Sequence, residues 1–264
     1  MTYNAVDREV EQRILPLTRE RKIGVIANRP FRQGELTEAL RRPYQRPRRT
    51  PDVSEWATYT LSDFLMFSAR TYYRLIELYN LDVWPMHLLA AAMGIALVIL
   101  AWRGGRIAPV VMGLCWIWVA WAFRAERYAT INTAAPYFAA GFAIQGVLLM
   151  FVGRLMATDN RFAFCLLSGT LFGYPLLALA SGRPWQQAEM FGIAPDATVA
   201  VTLAVLALSQ RAHWALWPVS LLWSAISGAT LWTMGVAGAW VLPLIAVLAS
   251  TLTLRRRLRS VPVR

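Results

Sequence analysis

His87 and His213 are the only two histidines among 264 residues, so a bis-histidine haem or metal centre would need both. Each opens an apolar segment, His87 the first and His213 the sixth. Successive spans alternate direction, so the two start on opposite faces of a core about 30 Å thick. A shared ligand is therefore excluded. His87 alone could ligate a pigment, because Ala90, Ala91, Ala92 and Gly94 leave room beside its helix. The plainer reading is a hydrogen-bonded interface residue.

Arg124, Glu126, Arg127 and Asn132 form the densest polar cluster beside apolar sequence. Charges at membrane depth mark pathways or sites. The simpler expectation is that Glu126 neutralises one of the two arginines as an interfacial salt bridge. A third candidate lies between Ser168 and Thr198, where an apolar helix carries Gly173-Tyr174-Pro175, breaks at Gly182 into a polar loop and re-enters apolar sequence after Pro195-Asp196. Unwound backbone there could coordinate a solute near Tyr174, Pro175, Glu189, Asp196 or Gln145. There is no zinc spacing, glycine-rich phosphate loop, Ser/His/Asp set or facing carboxylate pair. No metal site, no catalytic residue and so no enzyme is expected, and cofactors are limited to pigment or lipid contacts.

These residues need elements to position them, and composition says which. The chain is 57% hydrophobic with twelve tryptophans, and its mean hydropathy is +0.40. An all-α, polytopic membrane bundle is expected. Seven apolar segments run at roughly 81–102, 107–123, 135–153, 162–180, 195–209, 213–234 and 237–254. The second and fifth are short for the core and would be extended or tilted. Trp84, Trp102, Trp185, Trp214 and Trp240 stand near segment ends, as an aromatic belt requires. Gly169 with Gly173, and Ser224 with Gly228, have the four-residue spacing of close helix contacts. Cys115 and Cys165 lie within apolar runs and read as packing residues.

The remaining parts are a polar arm at 1–58, an amphipathic helix at 59–80 and a basic tail at 255–264. In the arm, prolines interrupt every periodic run, and Arg41, Arg42, Tyr44, Arg46, Arg48 and Arg49 make a basic strap for an acidic partner or lipid headgroups. Its bland alternative is a solvated tail. From Thr60 to Tyr79 apolar residues recur at spacings of three, four and seven, with Thr60 and Asp63 resembling a capping box. This helix is expected flat in the interface. Packing on a partner subunit is the alternative, with Phe64, Arg70 and Arg74 at the contact. The net charge of +12 is almost all arginine, Lys22 being the only lysine. Anionic lipid and the positive-inside rule account for it without nucleic acid. If the C-terminus is cytoplasmic, ten arginines lie inside and three outside. A bacterial inner-membrane location with that orientation is expected, and no secretory leader. An even span count, with both ends inside, stays open.

Tyr79-Asn80-Leu81-Asp82-Val83-Trp84-Pro85, Ile131-Asn132-Thr133-Ala134-Ala135, Phe172-Gly173-Tyr174-Pro175, Phe191-Gly192 with Pro195 and Thr198, and Trp217-Pro218 leading to Trp223 and Gly228 occur in order. Over about residues 60–254 the series resembles an uncharacterised bacterial membrane family, domain of unknown function sixty-sixty-four. The resemblance implies a multi-span fold and brings no activity with it. Two departures from the family pattern are the long N-terminal arm and Asp196-Ala197 at a position where a Cys-Pro pair is expected. Two functions follow as expectations. One is an accessory, non-catalytic subunit of a larger bioenergetic or photosynthetic membrane complex, docking through the arm and the amphipathic helix. The other is a small-molecule or ion transporter with its site at the break over 173–198.

Overall fold

The structure, a computed structural model, describes residues 67–156, 161–210 and 212–259. The strap at 41–49, Phe64 and the Thr60–Asp63 pair lie outside them. Among the described residues there are helices, turns and one isolated antiparallel bridge between Gly105 and Leu155.

Helix α1 spans Ala69–Asp82 and starts at Ser68, whose extended backbone and hydroxyl accepting from the Thr71 amide make it the N-cap. A continuous helix from Thr60 is thereby corrected, since an extended residue at 68 ends any run that precedes it. Tyr72, Tyr73, Ile76 and Tyr79 recur every three to four residues and form the buried face. That face is covered by the chain itself. Asn80 donates to the carbonyls of Gln186 and Ala188, Gln187 donates to Glu77, and Trp118 donates to the Tyr79 hydroxyl. On this face α1 is fastened to the chain's own bundle.

The bundle proper consists of α2 (Met86–Arg103), α3 (Ile107–Trp118), α4 (Ala135–Val152), α5 (Arg161–Gly173), α6 (Leu176–Ala180), α7 (Pro195–Leu208), α8 (Pro218–Thr233) and α9 (Val241–Arg259). Each of the seven apolar segments is thus helical at its core. Among the described residues three stretches are long and apolar enough to cross a membrane: Met86–Arg103, Ile107–Thr130 and Ala135–Val152. The second counts α3 together with its π-helical continuation, Val119–Ala125. Helix α2 buries Ala90, Gly94, Leu97 and Ala101, a narrow seam of mostly small residues, half-buries Met86, Met93, Val98 and Leu100 beside it, and exposes residues such as Leu88, Ile95 and Ile99.

Every residue of α7 is buried. At fourteen residues it is about 21 Å long, too short for a bilayer core. Protein encloses it instead, with α3, α5, α8 and α9 packed around its Ala- and Val-rich surface. The loop that feeds it, Ser181–Ala194, is buried from Ala188 onward except for partly covered Met190. Non-helical backbone is tolerated at such depth only when protein covers it.

The links sort to two ends. One end gathers 103–107, 153–156, 209–217 and the C-terminal part of α9. Gly105 pairs with Leu155, the Gln210 amide donates to the Met156 carbonyl, and Arg256 donates to the carbonyls of Ala207, Leu208 and Ser209. Arg103, Arg106, Arg154, Arg255 and Arg257 belong to this arginine end. The other end, the loop end, holds α1, the 126–134 turn and the 181–194 loop.

The small-residue expectation divides. A Cβ on Gly228 would lie 2.4 Å from Pro243 Cγ, so α8 and α9 do approach closely there. Gly169 and Gly173 face open space. Helices α3 and α4 come together at Gly113 and Gly146, where a Cβ on either residue would come within 2.8 Å of the other's carbonyl oxygen. The tryptophans expected at segment ends are all exposed, with Trp214 the most so at 70%.

Candidate polar site at the helix break

Arg124 is fully buried. It gets there because the end of α3 is π-helical over Val119–Ala125, with the Glu126 amide reaching back five residues to the Trp121 carbonyl. The wider turn shifts the face that each side chain occupies, and such segments recur at functional sites. The guanidinium lies 3.7 Å from the Trp223 ring centroid and 4.9 Å from those of Tyr128 and Phe142, with Phe123 and Phe138 beyond. Its Nε and Nη2 have no hydrogen-bond partner. Aromatic faces hold the cation by their quadrupoles and leave those N–H groups uncommitted.

Trp223 also donates its Nε1–H to Asp196 Oδ1 at 2.7 Å, and Ser227 donates to Oδ2. Asp196 stands in the first turn of α7, where the helix dipole favours an anion. It is fully buried and within electrostatic reach of Arg124. One indole therefore bridges cation and carboxylate. Glu189 completes the group from the buried loop. It is 6% exposed, and its Oε2 lacks a partner. Burial and the neighbouring Asp196 push its carboxyl up to about 8, with Arg183 and Arg124 opposing. Burial and Glu189 likewise raise the Tyr73 phenol, beneath which the Arg183 guanidinium stacks at 3.8 Å. Thr198 fixes the loop to the helix: its hydroxyl donates to the Ala194 carbonyl and accepts from the Gly192 amide. Gly192 adopts φ +78°, open to glycine, in a position where a Cβ would press on Cys115. The space between Tyr72, Arg124, Tyr128, Trp223 and Ser227 is small, about 10 Å³, room for roughly one water.

Of the residues expected at the break, the structure brings Glu189, Asp196 and Tyr174 together. Tyr174 is buried within electrostatic reach of both carboxylates. Pro175 lies between α5 and α6 and supplies the discontinuity, having no N–H to continue the ladder. Gln145 does not join them; its amide donates to the Leu216 carbonyl on the turn before α8. The polar cluster at 124–132 is corrected. Arg127 pairs with Asp82 at 2.8 Å rather than with Glu126, which is exposed, and Arg124 is enclosed by protein. Asn132 accepts from the Ala134 amide and donates to the Tyr128 hydroxyl, so it positions a wall of the Arg124 cage. His87 and His213 lie at opposite ends as expected; His213 caps its turn by accepting from the Ala215 amide. Arg70 and Arg74 are exposed, and Arg74 pairs with Glu77.

Tyr72, Trp223, Ser227 and Thr198 were not expected as site residues, although Thr198 and Trp223 stand in the motif series of the family resemblance. Trp223 and Ser227 are four apart on α8, in a run where Ser220, Ser224 and Ser227 are also buried, and that serine periodicity was a readable signal. No group of metal-ligating residues occurs among the described residues.

A helical bundle with three helices long and apolar enough to cross a membrane among its described residues, a short enclosed helix and buried charges at its start is consistent with the class of membrane proteins. Within it, residues 69–261 match the family of unknown function DUF6064, and the chain belongs to that family. No curated protein and no solved structure matches it.

Proposed function

We propose that the chain is a membrane transporter of a small solute or ion, with its site at the discontinuity over 173–198. One observation carries the reading: Arg124, Glu189 and Asp196 share a buried region, yet a guanidinium edge and a carboxylate oxygen there are left without partners. Buried charges that serve stability alone are paired and fully hydrogen-bonded. Ionisable groups kept open inside a bundle mark a solute or proton path. The interrupted-helix architecture supports it too, since the α7 N-terminus beside unwound backbone is how discontinuous helices present dipole and amides to a solute. The free N–H groups of Arg124 suit a small carboxylate, and Glu189 suits the accompanying proton. Space for about one water beside Arg124 is too little for a carboxylate solute, so the site would have to widen, with Pro175, Gly182 and Gly192 as the hinges. The reading includes seven spans in a bacterial inner membrane with the C-terminus cytoplasmic, the side that the arginine end would take under the positive-inside rule.

The test is reconstitution into liposomes, following uptake of radiolabelled acetate, lactate and succinate together with lumenal pH. Flux above empty liposomes that falls at least about tenfold in Asp196→Asn, and not in Arg70→Gln, is the expected result. No flux above empty liposomes for any of the three would overturn it.

An accessory-subunit role is favoured by a different observation. Arg70, Arg74 and Leu78 form an exposed stripe on α1, the face turned away from the chain's own bundle. Co-purification of a stoichiometric larger complex that is lost in an Arg70→Glu, Arg74→Glu double variant would establish it.

A further inference from the structure

A second, larger cavity of about 470 Å³ opens where α1 meets α2 and the loop at 185–190. Its walls include Asn80, Trp84, His87, Trp185 and Met190. The volume falls within the roughly 300–1,000 Å³ of small-molecule pockets. Two polar atoms of these walls decide what belongs there. Asn80 is 7% exposed and spends both amide hydrogens on its own chain, at 2.8 Å from the Gln186 carbonyl and 2.9 Å from the Ala188 carbonyl. That fixes the amide's orientation and leaves Oδ1, an atom that can only accept, buried without a partner. His87 Nδ1 is also buried and unpartnered, and its ring packs beside Trp84 at 5.9 Å.

Buried acceptors are almost always satisfied in proteins. Whatever fills this cavity must therefore bring a donor. No acidic side chain and no lysine or arginine lines it, so neither an ammonium nor an anionic headgroup would have a counter-charge there. The two indoles, Met190 and the exposed apolar flank of α2 suit an aliphatic or ring body. We infer that the cavity is a binding site for a neutral, hydroxyl-headed membrane amphiphile, a long-chain alcohol, phenol or quinol, whose O–H donates to His87 Nδ1 while its apolar body lies between Trp84 and Trp185. The inference stands apart from the transport reading, because it uses neither Arg124 nor the two carboxylates.

A matched pair of probes isolates the donor: 4-nonylphenol and its methyl ether, which have the same alkyl body and differ in the O–H. Binding of tritiated 4-nonylphenol to the purified full chain in detergent is competed with each unlabelled compound. The phenol should compete about tenfold more strongly than the ether, the effect of one hydrogen bond to a buried acceptor. His87→Phe keeps an aromatic ring beside Trp84 and removes the nitrogen; it should cut the phenol's advantage to about threefold or less with the ether unchanged. Ala91→Trp fills the cavity and should abolish binding of both, with thermal melting as the check that it is folded. If that variant does not fold, the phenol-to-ether ratio in His87→Phe still decides. Equal competition by phenol and ether, a ratio unmoved by His87→Phe, or full binding in folded Ala91→Trp would each overturn the site.

Discussion

At the arginine end, Arg106 donates to the Phe151 carbonyl at 2.7 Å, and Arg256 donates to the carbonyls of Ala207, Leu208 and Ser209 at the C-terminus of α7. At the loop end, Arg124 is wholly buried, touches five aromatic rings and leaves two of its nitrogens unbonded. The first arrangement is the ordinary way to finish a helix, since the last carbonyls lack intrahelical donors and the dipole welcomes a cation. The second fixes a charge in space without saturating its hydrogen bonds. The same residue type is thus structural at one end and chemically available at the other. The difference lies in what surrounds it: carbonyls that consume N–H groups, or rings that do not.

The comparison breaks most easily at Asp196. Replacing it with leucine leaves Arg124 buried without its counter-charge and strands the Trp223 N–H and the Ser227 hydroxyl. A loss of about 3–5 kcal/mol is expected, read from thermal or denaturant unfolding in detergent. Adding Arg124→Met to Asp196→Leu should recover a large part of it, since an apolar pair removes the uncompensated charge. Additive losses in that cycle would mean the two groups do not sense one another.

A sharper contrast comes from pH. The Glu189 carboxyl has an ordinary value of 4.5 and a folded value raised to about 8 by burial and Asp196. Across that window the unfolded chain has released the proton and the folded chain still holds it. Stability contributed by the neutral carboxyl is therefore complete below 4.5, declines as pH rises and is gone above about 8. Melting temperature should fall with pH through this range, and Glu189→Gln should remove that fall. A variant that melts with the wild-type pH dependence would show the carboxyl to be solvated.

Much of this was legible in the sequence. All seven apolar segments became helices, and the tryptophans at their ends remained exposed, because length and amphipathy are local properties. The break was readable from Tyr174-Pro175 and Gly182, as the lack of an N–H and the φ of +69° at Gly182 are written into residue type. The Arg124 cage was not. A regular helix through 119–125 would set Arg124 on a different face, and the π-helical register that turns it inward is decided by packing against α4. Glycine spacing misled for a related reason. Gly169 and Gly173 have the right interval and no neighbour, whereas Gly113 and Gly146 meet across two helices that no interval in one helix reveals. The covered face of α1 was visible as amphipathy, but whether lipid or protein covers an apolar face is a tertiary fact.

The smallest expected effect is at Arg256, and it tests the other half of the comparison. Arg256→Met keeps the aliphatic stem and removes three donations to the end of α7. Arg256 itself is partly exposed, so water can follow a shortened side chain to those carbonyls, and the cost should be about 1–2 kcal/mol, well below that at Asp196. The readout is the unfolding midpoint beside that of Asp196→Leu. Raised salt should weaken the wild-type contribution of Arg256 and leave the Arg124–Asp196 coupling nearly unchanged, because screening acts on solvated charges and hardly on enclosed ones. Were Arg256→Met to cost as much as Asp196→Leu, carbonyl-saturated and ring-held arginines would be equivalent in this bundle. The unbonded edge of Arg124 would then no longer single out the loop end as the place where chemistry happens.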